Sequence, residues 1–353
     1  MGSLTWRAKD ARVATPEPDP LSPPPPRPAY YDPHLNAWVL SRYVDVFAAL
    51  HEPRLVPVDS RAETLPDHAA LDAQHRLRTE AMTILSRPNV ESRRNQFVAL
   101  ARNTIEKLPS GTRVDIIKQF AEPFCLTVAV SITTADPADL ERLRALAHTV
   151  SRAAADPLNQ WLRHSAKVAN LQVAKILASS PIPMGGPTFV ALSQTLPRFL
   201  ANAWLALLRH PRQLDQLRGE PDVMSYAVEE LLRYAGLAHK LFRRCSATIN
   251  IAGVTIARGS RVILMLSSAN RDPEQFLDPD GLDISRRSRS QLALGAGSHS
   301  CAGVSLIKMA VGIATAVWVE HVAAADTMTP IEWEGGSGFR FAKSLYVLLH
   351  ERC

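Results

Sequence analysis

The sequence predicts a mainly helical protein with a smaller β part, an α+β fold, and three observations carry that expectation. Apolar residues recur at helical spacing through nearly all of residues 68–235. After residue 240 the texture changes, and "ATINIAGVTIARGSRVILMLSSA" shows alternating or β-branched runs broken by Gly253 and by Gly259-Ser260. The 353 residues are 46% hydrophobic and 21% charged, enough apolar mass for a large core. That length permits one large domain or two, and the interleaving of the two textures favours one.

Taken in order, residues 1–28 carry a proline run and read as an extended lead-in, with the folded domain spanning 29–353. "AYYDPHLNAWVLS" reads as two short strands about a turn, and "RYVDVFAALHE" as an amphipathic helix. The helical region then holds "HAALDAQHRLRTEAMTILS", "ESRRNQFVALARNTIEKL", "VDIIKQFAEPFCLTVAVSIT", "DPADLERLRALAHTVSRAA" and "LANAWLALLRHPRQLDQLR". Asp136 before Pro137 caps the fourth of these. "SSPIPMGGPTF" (179–189) reads as a proline- and glycine-rich loop. The late β segment is expected to form a small antiparallel sheet. A loop-rich stretch, "NRDPEQFLDPDGLDISRRSRS", leads to a glycine-rich loop and one more helix, and "FRFAKSLYVLLHE" closes the chain as strand.

Composition narrows the function classes. No run of eighteen uncharged apolar residues exists, so a membrane span is not expected. The first residues lack the apolar region of a signal peptide, and Trp6 breaks the myristoylation pattern. Cys125, Cys245, Cys301 and Cys353 lie far apart with no CxxC pair, which suits a reducing cytoplasm. A net charge of +6 with no basic stripe among aromatics gives no sign of nucleic-acid binding.

The chemistry concentrates in "LALGAGSHSCAGVSL" (292–306). A lone cysteine is ordinarily a small buried hydrophobe. Here Gly295, Gly297 and Gly303 would let the backbone turn and approach closely. Amide N–H groups converging on the sulfur, and the positive end of a helix starting near Ala302, would favour thiolate. A flat, bulky partner over the sulfur would explain the lack of large side chains.

This loop resembles the haem-binding signature of the cytochrome P-450 superfamily, F-x-x-G-x-[HR]-x-C-x-G. The glycine of the motif falls on Gly297, followed by His299, Cys301 and Gly303, and its phenylalanine position falls on Leu294. The resemblance extends in order to "SYAVEELLRY", whose Glu230 and Arg233 match the family's E-x-x-R, then to Arg243, "ANRDP" and "FLDPDGLDISR". It covers about residues 30–350 and looks like the soluble bacterial members. It implies haem b with Cys301 as the axial thiolate, propionates held by Arg78, Arg243 and His299, and Glu230 and Arg233 as the scaffold beneath. Thiolate ligation favours O–O cleavage, the chemistry of a monooxygenase. Alone, a Glu and Arg one turn apart would be an ordinary surface pair.

The chain departs from the family in three places. In "DAQHRLRTEA", His75 and Arg78 are three apart, where many bacterial members have four. In the oxygen-activating segment "ALSQT" (191–195), Thr195 keeps the alcohol, but Gln194 stands for the acid and Leu192 for the glycine. Glutamine can position water but cannot carry a proton as a carboxylate does. Pro197 then removes a helical hydrogen bond. Segments that form the roof of the pocket are also short, which implies an open pocket for a large or carrier-displayed substrate, or a roof completed by a partner.

Three functions follow from these residues. The first is a cytoplasmic monooxygenase of secondary metabolism, acting on a small or medium organic substrate with O2 and electrons from a ferredoxin. "SRRSRS" (285–290) would serve as its docking patch, and Thr195 and Gln194 would act on oxygen and water. The second is a peroxide-driven enzyme, or an isomerase or dehydratase, motivated by Gln194 and Leu192. The third is a non-catalytic haem-binding partner of another enzyme. Ala191, Leu237, Ala238 and His239 are the candidate substrate contacts, although His239 also reads as a structural histidine.

Overall fold

The computed structural model describes residues 23–57, 68–156, 159–325, 330–336 and 338–350, so most of the proline-rich lead-in lies outside the described residues. The first strands, Tyr30–Asp32 and Ala37–Leu40, pair antiparallel. Their turn is held by the Asp32 carboxylate, which accepts from the amides of His34 (2.9 Å) and Leu35 (3.1 Å), with Asn36 left-handed at φ 48.

These strands begin a five-stranded sheet that runs Tyr30–Asp32, Ala37–Leu40, Arg261–Leu264, Leu241–Cys245, Leu55–Pro57. The expected late antiparallel sheet therefore does not form as one unit. Only Ile249–Ile251 and Val254–Ile256 make a local hairpin, about Ala252 and Gly253 at positive φ. Arg261–Leu264 leaves it to lie parallel to Ala37–Leu40 and antiparallel to Leu241–Cys245. Leu266–Ala269 is helical. The C-terminal strand is two strands, Arg340–Ala342 and Tyr346–Leu349. The first pairs with Trp333–Gly335, the second with Arg113–Asp115 and Val322–Ala325.

The helical region is largely as predicted, with Tyr43–His51, His68–Ile84, Arg94–Ile105, Leu140–Ala155 and Gln160–Ile176 all helical. Asp136 does cap, accepting from the Ala138 amide at 2.8 Å, but at a short 3-10 turn preceding Leu140–Ala155. Two expected helices are divided. "VDIIKQFAEPFCLTVAVSIT" becomes a strand (Arg113–Asp115), a π-helical turn (Ile117–Ala121) and a helix (Glu122–Thr133). "LANAWLALLRHPRQLDQLR" breaks at His210, because Pro211 disfavours helical backbone in the residue before it.

"SSPIPMGGPTF" is not a plain loop. Gly185–Val190 is helical, and a Cβ on Gly185 would lie 2.7 Å from the Ser180 side chain. Those glycines let this helix press against the preceding turn. It continues as a π-helical turn, Ala191–Thr195, and then as Leu196–Arg209. Pro197 takes the second position of that last helix, where the wider turn before it absorbs the missing N–H.

Leu196–Arg209 is the axis of the main core. Trp204 stacks between Phe120 and Trp318, with centroid separations of 5.7 and 5.0 Å, and donates to Thr315 Oγ1 at 3.1 Å. Among the described residues, Val304–His321 alone is long and apolar enough to cross a membrane. It packs Leu306, Met309, Val311, Ile313 and Trp318 into the same core. This helix starts immediately after the cysteine loop, so the core positions Cys301 from below and the Ala191–Thr195 turn from above.

Candidate active site

The cysteine loop closes on itself. The Cys301 amide donates to the Leu294 carbonyl at 2.7 Å, and Gly295 donates to Leu292 at 2.8 Å. Gly295 and Gly297 adopt φ 71 and 66. At Gly297 a Cβ would meet the Leu50 carbonyl at 2.5 Å, so the loop can lie against the Tyr43–His51 helix only with glycine there. Gly303 differs: its φ is −94, and a Cβ would meet nothing nearer than 3.9 Å. The protein's own packing does not demand that glycine.

Above the loop lies a cavity of about 220 Å³, walled by Arg78, Leu85, Ala191, Leu192, Gly303 and Ile307 around Cys301. A Cβ on Gly303 would point toward Leu85 and Ile307, into this space. Burial raises the Cys301 thiol above its ordinary value, opposed by the Gly303 amide and the charge of Arg78. The amides therefore do not prevail as the sequence suggested: desolvation is the larger effect, because a single N–H reaches the sulfur.

Beside the cavity four basic side chains converge. His299 is pushed down by burial and then by the positive charges of Arg243, Arg78 and His75. Arg243 sits in the strand Leu241–Cys245, 6% exposed, with NH1 on the Phe242 carbonyl, and burial lowers its pKa to about 10. Arg78 donates through Nε to Ser298 O at 3.0 Å, but its buried Nη2 has no partner among the described residues. His75 is exposed at the edge of the cluster. Desolvated cations without a carboxylate are costly, and the arrangement fits a ligand that brings two negative charges. Together with the apolar space over Cys301, the residues fit a haem.

The Glu230–Arg233 pair holds the segment that leads into the loop. Arg233 makes two 2.7 Å bonds to Glu230 and also reaches the carbonyls of Asn270, Pro279 and Gly281. Glu230 accepts as well from the Asp283 amide at 2.9 Å and Arg286 Nε at 3.1 Å. This is a buried network and not a surface pair, since both side chains are almost fully covered. It also corrects the reading of "SRRSRS": Arg286 belongs to the scaffold, whereas Arg287 and Arg289 are exposed, beside the Tyr226 ring.

The remaining candidates are not all brought to the cavity. Ala191 and Leu192 face it, but Gln194 lines a separate cleft together with His148. Thr195 ends the π-helical turn, half-buried, outside the cavity wall. Leu237 is packed in the main core, and Ala238 and His239 border a narrow cleft beside Arg233 and Arg271. His239 holds backbone contacts, its amide on Gly338 O at 3.5 Å and its carbonyl accepting from the Ser267 amide at 3.3 Å. None of these three lines the cavity that Ala191 faces. Sequence reasoning missed Leu85, Pro187 and Ile307, apolar residues that carry no chemical signal in sequence.

Comparison with known proteins agrees with this geometry. A family model described as Cytochrome P450 matches residues 215–322. Cytochrome P450-SU2 of Streptomyces griseolus is 32% identical over 318 residues, spanning 79% of this chain and 78% of that protein. The fold is similar to the crystal structure of P450BioI in complex with hexadec-9Z-enoic acid ligated acyl carrier protein, with TM-score 0.80, 24% identity and coverage of 92% and 95%. It is also similar to epothilone D-bound cytochrome P450epoK, with TM-score 0.79, 21% identity and coverage of 92% and 94%.

Proposed function

The chain belongs to the cytochrome P450 family, and on that premise we propose a monooxygenase using haem b, O2 and ferredoxin-supplied electrons. The substrate is a small or medium organic molecule of the secondary-metabolite kind, hydroxylated or oxidatively coupled in the cytoplasm. The observation that carries this reading is Cys301 beneath an apolar cavity, flanked by the Arg78, Arg243 and His299 cluster, which has no carboxylate partner among the described residues.

Haem held there by a thiolate supplies oxygen activation, since electron density pushed onto iron favours O–O cleavage. Cys301 is the ligand. Arg78, Arg243 and His299 hold the propionates, with His75 at their edge. Leu294, Gly295 and Gly297 shape the loop, and Gly303 leaves room over the sulfur. Ala191 and Leu192 limit the space above it and exclude water by their apolar surface. Gln194 and His148 hold water behind the turn, and Thr195 offers its hydroxyl at the end of it. Arg287 and Arg289 supply the positive surface for a ferredoxin. A carrier-displayed substrate accords with the short roof, and the similar P450BioI fold is one seen with an acyl carrier protein.

A second reading, a peroxide-driven or non-oxygenating haem enzyme, is favoured by one observation: the side chain at the acid position is an amide that lines the cleft of His148 outside the cavity. Turnover of a substrate panel separates the two. Product with O2, a ferredoxin and its reductase supports the monooxygenase, and product with peroxide alone supports the second reading. A reduced, carbon monoxide-bound absorbance spectrum without the thiolate signature would overturn both.

A further inference from the structure

A cleft larger than the one at Cys301 lies elsewhere in the described structure. It measures about 650 Å³ and lies behind the Ala191–Thr195 turn, between the Glu122–Thr133 and Leu140–Ala155 helices and the strand Arg340–Ala342. The turn divides the two spaces: Ala191 and Leu192 look into the cysteine cavity, Ser193 and Gln194 into the cleft.

Two polar groups in this cleft are buried with incomplete pairing. Arg198 is 9% exposed, and its guanidinium lies 4.5 Å over the Phe341 ring. Among the described residues its side-chain hydrogen bond goes to the Ser151 hydroxyl, and Glu334 and Glu122 act on it through space without forming an ion pair. Ser193 is 6% exposed, lines the cleft, and its Oγ is buried with no hydrogen-bond partner. A buried hydroxyl left unsatisfied, and a desolvated guanidinium on a neutral partner, are both costly unless something else binds them.

We propose that this cleft is a second binding site, for a small amphipathic carboxylate whose anionic end meets Arg198 and Ser193. The apolar body then lies along Ile117, Leu126, Pro197 and Phe341 on the same wall. His148 and Gln194 complete the polar end as neutral hydrogen-bonding groups. A single charge suits the site better than a phosphate dianion, because Glu122, Glu141 and Glu334 share the cleft with Lys118, Arg144 and Lys343. Burial beside Asp115 shifts Glu122 toward its neutral form, which reduces the repulsion it offers. The volume is that of an ordinary small-molecule site.

Calorimetric titration of octanoate into the full chain tests this, with octanamide as the uncharged control. Octanoate should bind at least about tenfold more tightly than octanamide, the difference a charge-assisted hydrogen bond makes. Arg198→Gln should weaken octanoate by a similar factor and Ser193→Ala by about threefold. Leu192→Phe, which fills the cysteine cavity, should leave octanoate binding unchanged. Equal affinity for octanoate and octanamide, undiminished binding in Ser193→Ala, or loss of binding in Leu192→Phe would each overturn the site. If Arg198→Gln does not fold, the Ser193 variant and the octanamide control decide.

Discussion

Arg233 grips Glu230 through two parallel hydrogen bonds of 2.7 Å, with the two side chains 2% and 1% exposed. The remaining Arg233 donors reach three backbone carbonyls in the segment 270–281, and Glu230 takes the Asp283 amide. A side-chain pair on one helix thereby fixes the path of the loop-rich segment that leads into the cysteine loop. Removing Glu230 leaves Arg233 facing only carbonyls, and removing Arg233 leaves Glu230 with Arg286 and the Asp283 amide alone; breaking so buried a pair costs about 3–5 kcal/mol. Glu230→Gln and Arg233→Ala are each expected to lower stability by that order. Urea denaturation followed by circular dichroism checks this, and an unchanged midpoint in either variant would refute it.

Gly297 and Gly303 should respond oppositely to alanine. At Gly297, φ 66 and a Cβ 2.5 Å from the Leu50 carbonyl demand a backbone shift, costing about 1–3 kcal/mol. At Gly303 the backbone is ordinary and the added methyl meets nothing nearer than 3.9 Å. Haem-free Gly303→Ala is therefore expected to melt like the parent while taking up haem less completely, because the methyl enters the space over Cys301. Thermal melts and the absorbance ratio of haem to protein distinguish the two.

Arg243 is a desolvated cation with no carboxylate partner among the described residues, and burial lowers its pKa to about 10. Arg243→Met keeps the bulk of the side chain and removes that charge. The haem-free variant should be at least as stable as the parent in urea, since the cost of the buried charge disappears. The haem-loaded variant should release haem faster, measured by transfer to excess apomyoglobin. Destabilisation of the haem-free form would show that Arg243 serves the fold instead.

Glu122 gives a pH signature of known sign. Burial, then the nearby Asp115, raise its pKa in the folded state, with Arg144, Lys118 and Arg198 opposing. A folded state that holds this proton more tightly than the unfolded chain loses stability as pH rises from the ordinary glutamate value to the raised one. Glu122→Gln cannot titrate. Its melting temperature should pull ahead of the parent's as pH climbs through that window, with little difference below it. A constant difference across the range would count against the assignment.

Much of this was legible in the sequence, for physical reasons that differ by element. His68–Ile84, Arg94–Ile105, Leu140–Ala155 and Leu196–Arg209 declared themselves through apolar periodicity, which buries one face wherever the helix packs, whereas Gly185–Val190 read as a loop. The cysteine loop declared itself because backbone constraint appears as glycine, and two of its three glycines do take left-handed φ. The 3-residue strand Leu55–Pro57 gave no signal, being too short for a period to show. Arg261–Leu264 read as strand, but its partner Ala37–Leu40 lies over two hundred residues away, and pairing at that distance leaves no local trace.

Local chemistry thus determined the elements, the loop and the family resemblance, because dihedral limits and amphipathic spacing act over a few residues. Only the tertiary structure decided which side chains share a space. It set Arg286 against Glu230 and left Arg287 and Arg289 at the surface. It placed Gln194 in the cleft of His148 and not in the cavity at Cys301. It also made desolvation outweigh the one amide at the sulfur. Burial and charge pairing depend on contacts between segments far apart in the chain, and those exist only once the core around Trp204 has closed.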